Sequence, residues 1–176
     1  MIPNVVGVNI PHSVKIDECK KPRINKVFED LKNNRSVHVH DFYIFCSVIS
    51  KEENIELKQE SVDLIALRLI EEFAKEDSTG EKGQVYPLLH GLSSNEVLKG
   101  VRLKDEVFTC LNQILAKKQH VSTIREIIYE ASQNQKIPQD IHANLVTALE
   151  NERYRKDEHT NNVSSHLSQT LFQAPL

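Results

Sequence analysis

The stretch from Ser61 to Phe73, SVDLIALRLIEEF, predicts the helix around which the rest of the chain packs. Leu64 and Leu67 place apolar surface on one side of this helix. The other apolar residues recur at spacings of three and four, the pattern of one helix face: Val62, Ile65, Ala66, Leu69, Ile70 and Phe73. A helix that is apolar on nearly every side is normally buried, and this one is too short to span a bilayer, which needs about 20 consecutive apolar residues. We therefore expect residues 55–75 to form the central helix of a soluble all-helical domain.

The composition of the 176-residue chain argues against several common classes of protein. It holds only 5 glycines, so it lacks the glycine clusters that Rossmann and P-loop folds use to bind phosphate. Its formal net charge of −3 argues against a nucleic-acid partner, because nucleic-acid-binding domains are typically strongly basic. One small basic patch does not reverse that balance: Lys20, Lys21, Arg23 and Lys26.

The cysteines and the N-terminus indicate a reducing compartment. Cys19, Cys46 and Cys110 are far apart, and the last two lie on apolar helix faces. Such an arrangement is typical of buried thiols rather than of a disulfide framework. The N-terminus lacks the basic and unbroken apolar regions of a signal peptide. We therefore expect a cytoplasmic protein with no membrane partner, or one exported without a cleaved N-terminal signal.

The chain is expected to contain one domain, since its length can bury about 70% of the unfolded surface in a single core. Residues 1–21 predict an extended N-terminal arm, residues 22–150 a single all-helical domain, and residues 151–176 a polar C-terminal helix or tail, disordered in one interpretation. Helical periodicity within the domain predicts six to eight helices and no sheet beyond pairing of the arm.

Local signals predict where individual helices begin and end. Thr123 with Glu126, and Ser93 with Glu96, have the spacing of a capping box. Residues 76–84, EDSTGEKGQ, are the most hydrophilic link and predict an exposed, mobile loop. Four further residues mark the starts of helices, since proline suits the first helical position and aspartate the first turn: Pro22, Asp41, Pro87 and Pro138.

The predicted helices repeat in pairs. The first helices of three copies share an apolar pattern: Phe42, Phe45, Cys46 and Ile49; Val85, Leu88, Leu89 and Leu92; and Ile124, Ile127, Ile128 and Ala131. Their partners match as well: Val62, Ala66, Leu69 and Ile70; Val107, Leu111, Ile114 and Leu115; and Ile141, Leu145, Ala148 and Leu149. Successive copies are offset by 34 to 45 residues, as in helical-hairpin repeats of the HEAT, armadillo and TPR kinds. Because any two amphipathic helices align on their 3.6-residue period, an irregular helical bundle is the alternative.

The segment VHVHD, residues 37–41, is the strongest candidate for chemistry. His38 and His40 could share a metal, with Asp41 and His90 as further members of a site. A transition-metal site needs three or four convergent ligands, and no motif supplies the rest. If Asp41 opens a helix, its side chain turns toward the free backbone N–H groups there, and the two histidines lie in the preceding link. We therefore expect no metal, no cofactor and no catalytic residue.

Three other residues are expected to be structural. Cys46 lies among apolar neighbours, whereas a catalytic thiol needs an exposed, electropositive setting. Asp63 and Arg68 are the two charges within the most apolar helix, and each should find a partner in a neighbouring helix because unpaired burial is costly. A functional groove lined by these two charges is a secondary interpretation.

The segment after residue 150 changes in character. It begins with both charge signs and ends in a polar sequence that carries Leu167, Leu171 and Phe172 at helical spacing, suited to docking on the domain or on a partner. An acidic cluster followed by a Ser/Thr-rich end resembles the C-terminal signals of bacterial proteins exported by type IV secretion. This compositional resemblance covers about the last 25 residues and implies a translocated effector.

Two hypotheses of function follow. The first is a non-catalytic protein–protein interaction module, such as an adaptor, an inhibitor or a translocated effector, that binds a partner through a helical groove or a concave face. The alternative is a small enzyme with a site assembled in three dimensions around His38, His40 and Asp41. The first is preferred because the polar residues fall where solvated faces and caps are expected.

Overall fold

The structure is a computed structural model that describes residues 21–81, 83–94 and 96–151. These residues form seven helices. The helices are α1 (Lys21–Lys32), α2 (Val39–Ser50), α3 (Ile55–Thr79), α4 (Val85–Ser93), α5 (Asp105–Ala116), α6 (Val121–Ser132) and α7 (residues 139–151). These residues contain no strand. The prediction of an all-α fold with six to eight helices is confirmed for them. Residues 1–20 of the predicted arm and residues 152–176 of the predicted tail, which include Cys19 and Leu167, lie outside the described residues.

The helices stack in two layers. α2, α4 and α6 lie side by side in one layer, and α1, α3 and α5 lie side by side in the other. α7 joins the second layer beside α5, where Asn144 Nδ2 donates to Asn112 Oδ1 at 2.9 Å and Asn112 Nδ2 donates to Asp140 Oδ2 at 3.2 Å. This order of packing matches the stacked hairpins of a helical repeat, one of the two predicted architectures.

The hairpins are paired differently from the prediction. The sequence pattern joined the helices at Val85 and Val107 in one repeat, but α4 packs on α2, α3 and α6 and not on α5 over their described lengths. The connections explain this. Residues 80–84 alone join α3 to α4, and Gly80, at φ 76°, provides the left-handed C-cap of α3 that turns the chain back. The link from α4 to α5 is longer and buries four apolar side chains: Val97, Leu98, Val101 and Leu103.

Several predicted helix boundaries are wrong. α3 continues to Thr79, so the first part of the predicted 76–84 loop is helical. The new turn predicted at Ser93 and Glu96 is present, with Glu96 at φ 60°, but Ser93 Oγ donates to the carbonyl oxygen of His90 and forms no capping box. α6 begins at Val121, which puts the predicted cap Thr123 inside the first turn.

The central helix α3 is buried on one side only. Val62, Ile65 and Leu69 are each 0% exposed in the core, whereas Leu67 is 53% exposed and Leu64 is only partly buried. α1 and α5 flank α3, and α2 and α4 cover its inner side, so its outer side meets no other helix among the described residues. The expectation that α3 is buried on nearly all sides is therefore wrong.

Buried cations fasten α3 to the segments around it. Arg68 Nη2 donates to the carbonyl oxygens of Asp30 at 3.0 Å and Arg35 at 2.6 Å. Lys58 Nζ donates to the carbonyl oxygens of Glu96 at 2.8 Å and Lys99 at 2.9 Å. Burial lowers the pKa of the Lys58 ammonium.

The two charges singled out in the sequence of α3 have different partners. Arg68 reaches the end of α1, which confirms a partner outside its own helix. Asp63 instead accepts a hydrogen bond from Gln59 Nε2 of α3 itself at 3.0 Å, so the expectation of a partner in a neighbouring helix is wrong for Asp63.

α4 approaches α2 closely at Gly91. A Cβ atom at this position would lie 2.6 Å from Cε2 of Phe42 and 2.9 Å from the sulfur of Cys46, so no side chain fits there at the present spacing. Cys46 is buried beneath α4 and Cys110 is buried in α5, which confirms the prediction of buried thiols. Burial raises the pKa of both thiols, that of Cys110 to about 11.

Candidate functional site

A groove runs along the outer side of α3 and is closed at one edge by the start of α5. Its volume is about 620 Å³. The α3 residues that line it extend from Ile55 to Ile70, and Val107 contributes from α5. The groove exists because α3 is longer than its neighbours α1 and α5 and lies between them, with an uncovered outer face.

The groove exposes large apolar side chains. Leu67 is 53% and Ile55 48% exposed, and the partly buried Leu64 and Ile70 lie beside them. Large apolar groups that are exposed together, with polar residues around them, mark interaction surfaces more often than single exposed side chains do.

Charged residues give the groove a negative balance. Four carboxylates line it against a single ammonium group: Glu56, Glu60, Asp63 and Glu106, with Lys104. Glu56, Glu60 and Glu106 form no ion pair within the described part of the chain. The groove therefore combines an apolar floor with carboxylates that are open to a basic ligand.

Gln59 fixes the position of the two walls. Its Nε2 donates to the Arg102 carbonyl oxygen at 2.8 Å, and its Oε1 accepts from the Arg102 N–H at 3.0 Å. The same amide nitrogen donates to Asp63. This paired contact holds the segment before α5 against α3 and so fixes one edge of the groove.

The predicted histidine segment forms the start of α2. His38 is the N-cap, and its Nδ1 accepts a hydrogen bond from the His40 N–H at 3.2 Å. His40 therefore belongs to the helix, and the prediction that both histidines lie in the link is wrong for His40. Asp41 lies in the first turn, as expected. Its carboxylate is 4.0 Å from Nε of Arg23, and His38 caps the backbone instead, so the expectation that the Asp41 side chain turns toward the free N–H groups is wrong. The three residues share one helical turn, with His38 engaged by the backbone.

His90 lies in a row of rings on the other layer, which connects α2, α4 and the N-cap of α6. The ring centroids of Tyr43 and His90 are 5.2 Å apart, those of His90 and Tyr86 5.8 Å, and those of Tyr86 and His120 5.7 Å. Burial raises the pKa of Tyr43, with smaller contributions from Tyr86 and Cys46. Burial lowers the pKa of His120, opposed by Glu76.

Of the two charges that the secondary interpretation placed in a groove, Asp63 lines this one, whereas Arg68 is buried away from it. The apolar floor of the groove and the ring row were not predicted. The available signal for the groove was a second stripe on α3, at Glu56, Glu60, Asp63, Leu67 and Ile70, whose spacings of four and three place it opposite the core face. For the ring row the signal was weaker: Tyr86 and His90 are four residues apart on one helix, but their contacts in α2 and at the start of α6 depend on the packing of the layers.

The described residues contain neither a metal-binding cluster nor a membrane-spanning helix. No group of three or more His, Cys, Asp or Glu residues among them is arranged to hold a metal ion. No helix within the same residues has both the length and the hydropathy that crossing a bilayer requires.

Comparison with known proteins identified no relative. No protein-family model, no curated protein and no solved structure matched the chain.

Proposed function

We propose that this protein is a non-catalytic interaction module whose α3–α5 groove holds a helical segment of a protein partner. The observation that supports this most is the apolar floor of the groove, where the exposed Leu67 lies with Ile55, Leu64 and Ile70 in the helix that also carries the core. An exposed leucine costs free energy in water, and that cost is recovered when a partner covers it. Adaptors, inhibitors and translocated effectors all work through surfaces of this kind.

The shape of the groove supports a helical ligand. Its walls are the helices α3 and α5, whose backbone groups bond within their own helices. One way in which an extended peptide gains affinity is by adding a strand to a sheet edge, and the described residues offer no such edge. A helix satisfies its own backbone and needs only a side-chain surface, which is what Ile55, Leu64 and Leu67 provide.

Affinity capture with a matched pair of variants tests the proposal. In the variant Leu67→Gln the groove loses its central apolar side chain without a change of charge. The control is Val146→Gln, which alters an apolar residue of α7 that is 54% exposed and does not line the groove. Because central apolar contacts dominate binding energy, we expect a protein partner to be captured by the wild type and by the control but reduced at least about tenfold with Leu67→Gln.

The partner is then purified and its affinity measured against all three chains by calorimetry. Circular dichroism melting curves must show that both variants fold like the wild type. Equal affinities of the wild type and Leu67→Gln for every captured protein would contradict docking in this groove.

A further inference from the structure

We infer that the occupant of the α3–α5 groove is an amphipathic helix of about four turns whose apolar stripe is bordered by lysine or arginine. This inference rests on the proposed function and specifies the partner's chemistry. It depends on the length of the groove, the order of residues along it and its charge.

The length of the groove sets the length of the ligand. The lining of α3 runs from Ile55 to Ile70, which is fifteen steps of about 1.5 Å, or roughly 22 Å, along the helix axis. A ligand helix of about 15 residues covers that distance in about four turns. Apolar side chains at spacings of three and four would then meet the floor along its full length.

The order of residues gives the groove a direction. Along α3 the outer stripe is acidic at Glu56, Glu60 and Asp63 and apolar at Leu67 and Ile70. A bound helix would therefore carry its basic residues mainly at the end that lies over the N-terminal half of α3. Its bulkiest apolar residues would lie over Leu67.

The charge of the groove selects against other ligands. Four carboxylates against one ammonium repel nucleic acids, anionic lipid surfaces and acidic helices. A second copy of the chain bound through the same groove would bring these carboxylates against their own equivalents, because a twofold interface presents one patch to itself. Opposite charges around an apolar contact steer association and select the partner.

Synthetic peptides test the inference on the full chain. One 16-residue peptide has leucines at spacings of three and four and lysine at the flanking positions. Its twin has glutamate in place of lysine, and a third peptide has the lysine peptide's composition in scrambled order. We expect the lysine peptide to bind at least about tenfold tighter than its twin, equivalent to about 1.4 kcal/mol, and the scrambled peptide to bind no better than the twin.

Two double variants test the charge with matched controls. Glu56→Lys with Glu60→Lys reverses two carboxylates of the groove, while Glu126→Lys with Glu130→Lys makes the same change of net charge on α6. The preference for the lysine peptide should vanish in the first variant and persist in the second. A preference that is lost equally in both would reflect net charge alone and would overturn the inference.

The remaining outcomes separate this inference from the proposed function. If the lysine and glutamate peptides bind with equal affinity and Leu67→Gln weakens the binding of both, the inference of a basic ligand is overturned. The proposal that a helix docks in the groove is then still supported. Binding that Leu67→Gln does not weaken overturns both. A chain that binds neither peptide contradicts the inference, and the capture experiment then decides the proposed function independently.

Two other occupants of the groove would be detected in the same series. The double variant Leu171→Ser with Phe172→Ser removes apolar side chains from the C-terminal segment. If this variant bound the lysine peptide about tenfold more tightly than the wild type, the chain's own C-terminal segment would be shown to fill the groove. Sedimentation as a dimer that becomes monomeric in Leu67→Gln would show a second copy there. Either result overturns the inference.

Discussion

Two side chains of α3 show how this fold accommodates buried charge. Lys58 and Arg68 are both almost fully buried, and each donates to backbone carbonyl oxygens of segments outside α3. A carbonyl in such a place needs a donor, since a buried acceptor without one costs about 1–3 kcal/mol. The two cations therefore satisfy the carbonyl oxygens of Arg35 and Lys99, whereas those of Asp30 and Glu96 also accept backbone N–H groups. The local sequence does not predict this, because four of the five acceptors lie more than 30 residues away.

His120 provides a prediction at the scale of one residue. Burial holds the pKa of its imidazole below the ordinary value of 6.5, so the unfolded chain takes up a proton before the folded chain does. The free energy of unfolding rises with pH wherever the unfolded state binds more protons. The contribution of His120 is therefore complete above the unfolded pKa and declines as the pH falls below it. We expect the wild type to lose more stability than His120→Asn between about pH 7.5 and about pH 5.5.

Urea unfolding at both pH values measures this difference. Asparagine is the suitable replacement because it tolerates the left-handed backbone of residue 120, at φ 51°, and also caps helices. The two proteins differ at residue 120 alone, so the difference between their pH profiles isolates His120. Parallel profiles would mean that His120 titrates alike in the folded and unfolded chains.

At the scale of an element, α3 has a buried face that packs in the core and an exposed face that lines the groove. Substitution of one leucine on each face tests this difference. Leu69→Ala should cost about 2–5 kcal/mol in the free energy of unfolding, because a fully buried leucine loses transfer energy and leaves a cavity. Leu67→Ala, two residues away and half exposed, should change it by less than about 0.5 kcal/mol. Chemical denaturation measures both. Comparable losses would show that the outer face of α3 is covered in the folded chain.

The periodicity of α3 predicted the helix and its core residues but not its uncovered face. A period of 3.6 residues shows which positions are apolar and on which side they lie. It does not show how many neighbouring helices will cover those sides, which depends on the stacking of distant segments. Leu67 therefore looked like a core residue. The same limit applies to Ser93 and Glu96, since their spacing predicted a new turn but not the burial of the adjacent Val97 and Leu98.

At the scale of the whole molecule, the two layers predict a gradient of stability. In a stack each helix contacts mainly its neighbours, so terminal helices have fewer partners than central ones. We expect amides of α3 and α4 to exchange most slowly with deuterium and those of α1 and α7 most rapidly. Hydrogen–deuterium exchange followed by mass spectrometry measures this order. Uniform protection across all seven helices would indicate a single cooperative bundle instead.

The layer order could be predicted only in part. Matching apolar patterns predicted that α2, α4 and α6 are equivalent, and they do lie side by side. The same patterns could not show which consecutive helices form hairpins. That depends on the links between helices. The short link at Gly80 folds α4 onto α3, and the longer link after Ser94 connects α4 to α5 in the other layer.

Gly91 of α4 packs closely on Cys46 of α2. The reactivity of this thiol can therefore report how often the two helices separate. An alkylating reagent reaches a sulfur in this position when α4 moves away from α2, so the rate of labelling at Cys46 records how often the two helices part. The groove lies on the other layer, where α3 contacts both of them. A labelling time course, taken with and without a ligand in the groove, would therefore show how far binding on one side of the protein restrains motion on the other.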